Sequence, residues 1–153
     1  MDSLRWYEDP IYIKMCEKAE EIQKLWKPFN GCYIIQKDYE QFPVELRQPI
    51  VLHFCNDSIL VSFDKSLFIW LLRQDQLQEI YRDIRRDNVT GVGQETLYST
   101  IVSFYLWIKN NFIEYAGQFL SMEQLWLAFV MEEKFNKVWD GKKWLEKFCR
   151  RKN

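Results

Sequence analysis

His53 is the only histidine in the chain, and it stands two residues before Cys55. In a strand that spacing sets both side chains on one face, which is the beginning of a metal site. A tetrahedral site needs two more ligands from distant positions, so a packed strand is the plainer reading and no metal is expected. One histidine excludes any chemistry that uses two. No serine or cysteine sits in a nucleophile-elbow context. Gly91-Val92-Gly93 is a lone G-x-G between polar residues and reads as a turn rather than a phosphate loop. Carboxylates such as Asp75 and Glu79 occur in any protein and do not by themselves indicate catalysis. The residues therefore predict neither an enzyme nor a cofactor.

The elements that position these residues belong to a chain of 153 residues, 48% hydrophobic and 17% aromatic, with 21 basic against 22 acidic side chains. That length and apolar content support one globular domain over 1–153 and exclude wholesale disorder. The longest apolar run, Leu125 to Met131, is far short of a membrane span. Met1 to Asp9 lacks the apolar centre of a secretion signal, so a cytoplasmic protein is expected. Cys16, Cys32, Cys55 and Cys149 are widely spaced and read as reduced core thiols. Charge is uneven: residues 134–153 carry eight basic and two acidic side chains, leaving 13 basic and 20 acidic elsewhere. Such a tail suits an anionic partner, or a C-terminal helix whose cations complement its own dipole.

The pattern predicts an α+β fold: an N-terminal helix, a small antiparallel sheet, then a mostly helical C-terminal half. Asp9-Pro10 is an N-cap acid followed by proline, and Tyr12, Met15, Ala19, Ile22 and Trp26 form one inward stripe. Cys32–Ile35 reads as a strand. Residues 50–54 and 59–63 read as a hairpin around Asn56-Asp57-Ser58, and 67–70 as a further strand. Leu77, Ile80, Tyr81 and Ile84 line a helix that ends near Asn88. The next helix takes Leu97, Ile101, Phe104, Tyr105, Ile108 and Phe112 as its stripe and ends at Gly117. Ser121 and Gln124 form a capping box, with Leu120 stapled to Leu125, ahead of a helix apolar nearly all round. After the Asp140-Gly141 turn, an amphipathic basic helix is expected from Lys142.

Three segments together resemble a family of short, uncharacterised proteins of bacteriophages and prophages. They are Lys18 to Gln23 with Trp26, then Trp70-Leu71-Leu72-Arg73-Gln74-Asp75-Gln76-Leu77-Gln78, then Ser121 to Met131 continuing to Lys137, Trp139, Gly141 and Trp144. In that family the middle motif reads W-L-P-R-Q-D-Q-L-Q, and here Leu72 stands where the family has proline. The resemblance implies a phage origin and action in the cytoplasm of the bacterial host, and it implies no activity. Proline at the equivalent of Leu72 suggests a helix start there, whereas Asp75 with Gln78 suggests a start three residues later. The first places Arg73 on an inward face and the second leaves Arg73 and Gln74 in a loop.

The candidate binding residues are Trp70, Arg73, Gln74, Asp75, Trp139, Lys143 and Trp144. The guanidinium fork suits phosphate or carboxylate, and tryptophan faces suit rings. Tying sheet to helix, and clamping the last helix, are the structural uses of the same residues. The function expected is a non-catalytic phage accessory protein that binds a host or phage protein, in a counter-defence role. The alternatives are sequestration of a nucleotide-like small ligand, or nucleic-acid binding through the basic tail, which the acidic remainder disfavours.

Overall fold

A computed structural model describes residues 5–43, 47–52, 63–88 and 97–147, with 83–88 described by backbone alone. The chain divides into two compact units, Met1–Leu72 and Arg73–Asn153. The fold is α+β, with a helical C-terminal half. The predicted hairpin over 50–63, His53 and Cys55 lie largely or wholly outside the described residues, as does Cys149.

In the first unit, Asp9 caps helix α1 (Pro10–Lys18): its Oδ1 accepts the Ile11 N–H at 2.9 Å. The predicted stripe is buried from Tyr12 to Trp26, but it does not lie on one helix. The helix breaks at Ala19, and α2 runs Glu20–Leu25. The Cys16 carbonyl explains the break. It accepts from the Ala19 N–H at 3.2 Å and from the Gln23 side chain at 3.0 Å, in place of the ordinary i+4 bond that would continue the helix. Gly31, at φ 88°, makes the turn into β1 (Tyr33–Gln36). β1 pairs antiparallel with β2 (Ile50–Val51) on one side and β3 (Phe68–Leu71) on the other, with Ile34 opposite Trp70. α1 packs on β3.

In the second unit, α3 (Gln74–Asn88) and α4 (Leu97–Asn111) pack against α5 (Met122–Phe135). Ser121 caps α5, its Oγ accepting the Gln124 N–H at 3.2 Å, while Gln124 Oε1 accepts from Leu120 N at 3.0 Å. The staple does not form, because Leu120 is 84% exposed. Seven consecutive residues of α5, Trp126–Glu132, are buried, so this helix is the centre of the unit as predicted. Asn136, in the left-handed region at φ 54°, ends it.

Two expectations fail here. Residues 144–146 are not helical: β4 (Lys137–Trp139) and β5 (Trp144–Glu146) form an antiparallel hairpin. Asp140 redirects the chain, its Oδ1 accepting the N–H groups of Lys142 and Lys143 at 2.8 Å each, with Gly141 at φ 97°. The stripe predicted for α4 holds only in part: Phe104 is buried and Ile108 half-buried, but its other residues are exposed. Thr100, Phe104 and Trp107 are buried, whereas Leu97, Ile101, Tyr105 and Phe112 are exposed. Trp107 and Phe104 win the inward face because α5 presents Trp126 and Phe129 to stack against them.

Candidate functional site

Trp70 sits in β3 and is buried. The Gln23 amide pairs with its main chain, accepting from Trp70 N and donating to Trp70 O at 3.0 Å each. The Trp26 ring stacks on the Trp70 indole at 6.2 Å and 14°. The Lys18-to-Trp26 segment and the start of the Trp70 motif are thus brought together as a strap that holds helix to sheet. Beside it lies a groove of ≈ 560 Å³ lined by Lys18, Lys24, Trp26, Lys37, Lys65 and Phe68 among others. Lys65 Nζ donates to the Trp26 carbonyl at 2.8 Å, so this lysine also serves the fold.

Arg73 lies just before α3. Its Nε and Nη2 each donate to one oxygen of Asp75 at 3.0 Å, a fork that closes on its own sequence neighbour. That fork holds the Asp75 carboxyl below the ordinary carboxylate range. α3 begins at Gln74, between the two starts the sequence offered. Gln76 makes the helix-start contact in place of Gln78: its Oε1 accepts the Arg73 N–H at 2.9 Å, and the Arg73 carbonyl accepts from Leu77 N. Gln74 is half-buried, and Arg73 and Asp75 side chains are 40% and 62% exposed.

Trp139 and Trp144 face each other across the hairpin at 5.1 Å, both buried, and the Trp139 N–H donates to the Tyr115 hydroxyl at 2.7 Å. They fasten the hairpin to the unit and offer no open ring face for a base. Lys143 is exposed in the turn. Glu132, which the sequence did not single out, is a buried carboxylate gripped by Trp107 Nε1 at 3.0 Å and by Lys147 Nζ at 2.7 Å. No cluster of three or more metal-ligating side chains exists among the described residues.

The largest feature that sequence reasoning missed is the outer face of α4. Tyr98, Ile101 and Tyr105, with Phe112 just past the helix end, are 77%, 51%, 60% and 61% exposed, and they lie about a third of a turn round the helix from the buried Thr100, Phe104 and Trp107. Leu97, Leu106 and Ile113 are exposed as well, Leu106 to one side of that stripe and Ile113 beyond the helix end. The signal was present in the sequence as a second apolar stripe on the same helix, one that the single-face assignment merged with the core. No helix among the described residues is long and apolar enough to cross a membrane. The chain matches no family model, no characterised protein and no solved structure.

Proposed function

We propose that the chain is a non-catalytic phage or prophage accessory protein that binds another protein in the bacterial cytoplasm through the outer face of α4, in a counter-defence role. The observation that carries the reading is the exposed face itself: Tyr98, Ile101 and Tyr105 stand on one side of a helix whose only charged residue is Lys109, and Phe112 is exposed just past its end. Exposed aromatics on a rigid helix supply large contact area at small entropic cost, as binding hot spots do. The test is co-purification of the tagged chain from its bacterial host, wild type beside Tyr105→Glu. The reading expects a protein captured by the wild type and absent from the variant, with both unfolding at the same urea concentration. Equal capture by both would contradict it.

A second reading is favoured by the groove of the first unit. Four lysines surround Trp26 and Phe68 together with Glu17 and Glu20; Lys18 pairs with Glu17 at 3.6 Å and Lys65 serves the Trp26 carbonyl, so Lys24 and Lys37 are the cations a ligand would meet. That set suits a small anion with a flat apolar part, such as a nucleotide. Titration with a nucleoside monophosphate, followed by tryptophan fluorescence, tests it. Saturable quenching weakened by Lys24→Glu supports the groove, and no response excludes it.

A further inference from the structure

We propose that Gln23 is an edge guard: its side-chain amide takes the two main-chain groups of β3 that a further strand would need, and so keeps this edge from pairing with other chains. The bond pattern of the sheet identifies the edge. Lys37 N donates to Leu67 O at 2.9 Å, and β1 runs antiparallel to β3 from there, with Ile35 opposite Ile69 and Tyr33 opposite Leu71. In an antiparallel pair, bonded and non-bonded positions alternate. Leu67, Ile69 and Leu71 therefore direct their main chain at β1, while Phe68 and Trp70 direct theirs away from it.

β3 ends the sheet, whose order is β2, β1, β3. An end strand with unpaired N–H and C=O groups is a template for another strand. Here the chain itself supplies the partners. Gln23 Oε1 accepts from Trp70 N and Gln23 Nε2 donates to Trp70 O, the same two bonds that a residue of a neighbouring antiparallel strand makes. Nε2 also donates to the Cys16 carbonyl at 3.0 Å, which fixes the orientation of the amide. On either side, Phe68 N donates to Lys65 O in the turn before β3, and Leu72 O accepts from the Tyr12 hydroxyl. Gln23, Phe68 and Ile69 are among the residues lining the groove of the first unit, so the guarded edge borders open space and packing alone does not close it.

The hairpin of the second unit treats an edge in the same way. Asp140 N donates to Lys143 O and Lys147 N to Asn136 O, which by the same alternation turns the main chain of Trp139 outward. The N–H that it presents there is the one that donates to the Tyr115 hydroxyl.

Sedimentation velocity of the full chain, with hydrogen–deuterium exchange, tests the guard on wild type, Gln23→Met and Ser121→Ala. Methionine keeps the length and apolar stem of glutamine and loses all three bonds. Ser121→Ala weakens a helix cap of the second unit and leaves β3 guarded, so it controls for loss of stability alone. We expect freshly prepared Gln23→Met to lose protection at the Trp70 amide. On incubation at high concentration it should shift to faster-sedimenting species in which that amide is protected again. Wild type and Ser121→Ala should keep the protection and show no shift. A Gln23→Met that sediments as wild type does overturns the proposal, as does an associated form whose newly protected amides lie away from β3. Equal association of Ser121→Ala also overturns it. Where Gln23→Met does not fold, Gln23→Glu carries the same test, since it keeps the acceptor for the Trp70 N–H and loses only the donor. If neither variant folds, Gln23 serves folding itself and the guard is refuted.

Discussion

Arg73 and Asp75 form a fork between exposed side chains, and a pair in that setting contributes little to stability because water screens it and two long side chains must be ordered. Arg73→Met should therefore lower the unfolding free energy from urea titration by less than ~1 kcal/mol, a smaller effect than an inward-facing arginine would give. Glu132 is the opposite case. Lys147→Met leaves its buried carboxylate with one neutral donor, Trp107, and should cost ~1–3 kcal/mol. Lys147→Arg should recover part of that loss. A Lys147→Met variant as stable as wild type would mean that water replaces the ammonium without penalty. Asp140 supplies a pH dependence. The Lys143 N–H, with that of Lys142, holds its carboxyl below the ordinary range. A group depressed in the folded state stabilises above its unfolded pKa and loses that contribution as pH falls through its folded value. The stability difference between wild type and Asp140→Asn should hence shrink in acid, and a difference constant down to acid pH would contradict the assignment. Burial pushes the Cys16 thiol up to about 12, so Cys16 should resist alkylation at neutral pH until the protein unfolds.

At the scale of elements, the sequence was most legible where local chemistry and packing agree. Asp9-Pro10 and Ser121 both start helices where their cap chemistry places them, and Ser121→Ala should cost ~1 kcal/mol, the usual loss of an N-cap acceptor. An unchanged denaturation midpoint would show that Gln124 and Leu120 hold the turn alone. Legibility fell where a distant partner decides. The break at Ala19 depends on Gln23 reaching back to Cys16, and the Gln23 amide is fixed by Trp70, 47 residues away in sequence. The β4–β5 hairpin was hidden because Trp144, Leu145 and Phe148 also fit a helical stripe. Asp140, Gly141 and the pairing with Lys137–Trp139 favour the strand. On α4 two apolar stripes compete, and only the aromatic surface of α5 determines which turns inward. The candidate residues Trp139 and Trp144 were correctly located beside the turn, but their faces are spent on each other.

In the second unit the cations of the C-terminal end gather at the hairpin. Lys142, Lys143 and Lys147 lie at the hairpin, where the paired tryptophans are closed to bases. Duplex or single-stranded DNA at physiological salt should therefore bind only weakly, read by fluorescence anisotropy. Sub-micromolar affinity falling steeply with salt would instead identify the basic end as a nucleic-acid site. What sets this chain apart is the outer face of α4, and residue-by-residue photocrosslinking in cells that make the protein tests its use most directly. A photoreactive residue is placed in turn at Tyr98, Ile101, Tyr105 and Phe112 and, as controls on other exposed positions, at Gln118 and Glu133. The four positions on that face should each crosslink to one discrete protein, and the controls to none. Crosslinks of equal yield from these and the control positions, or from no position, would contradict the interface.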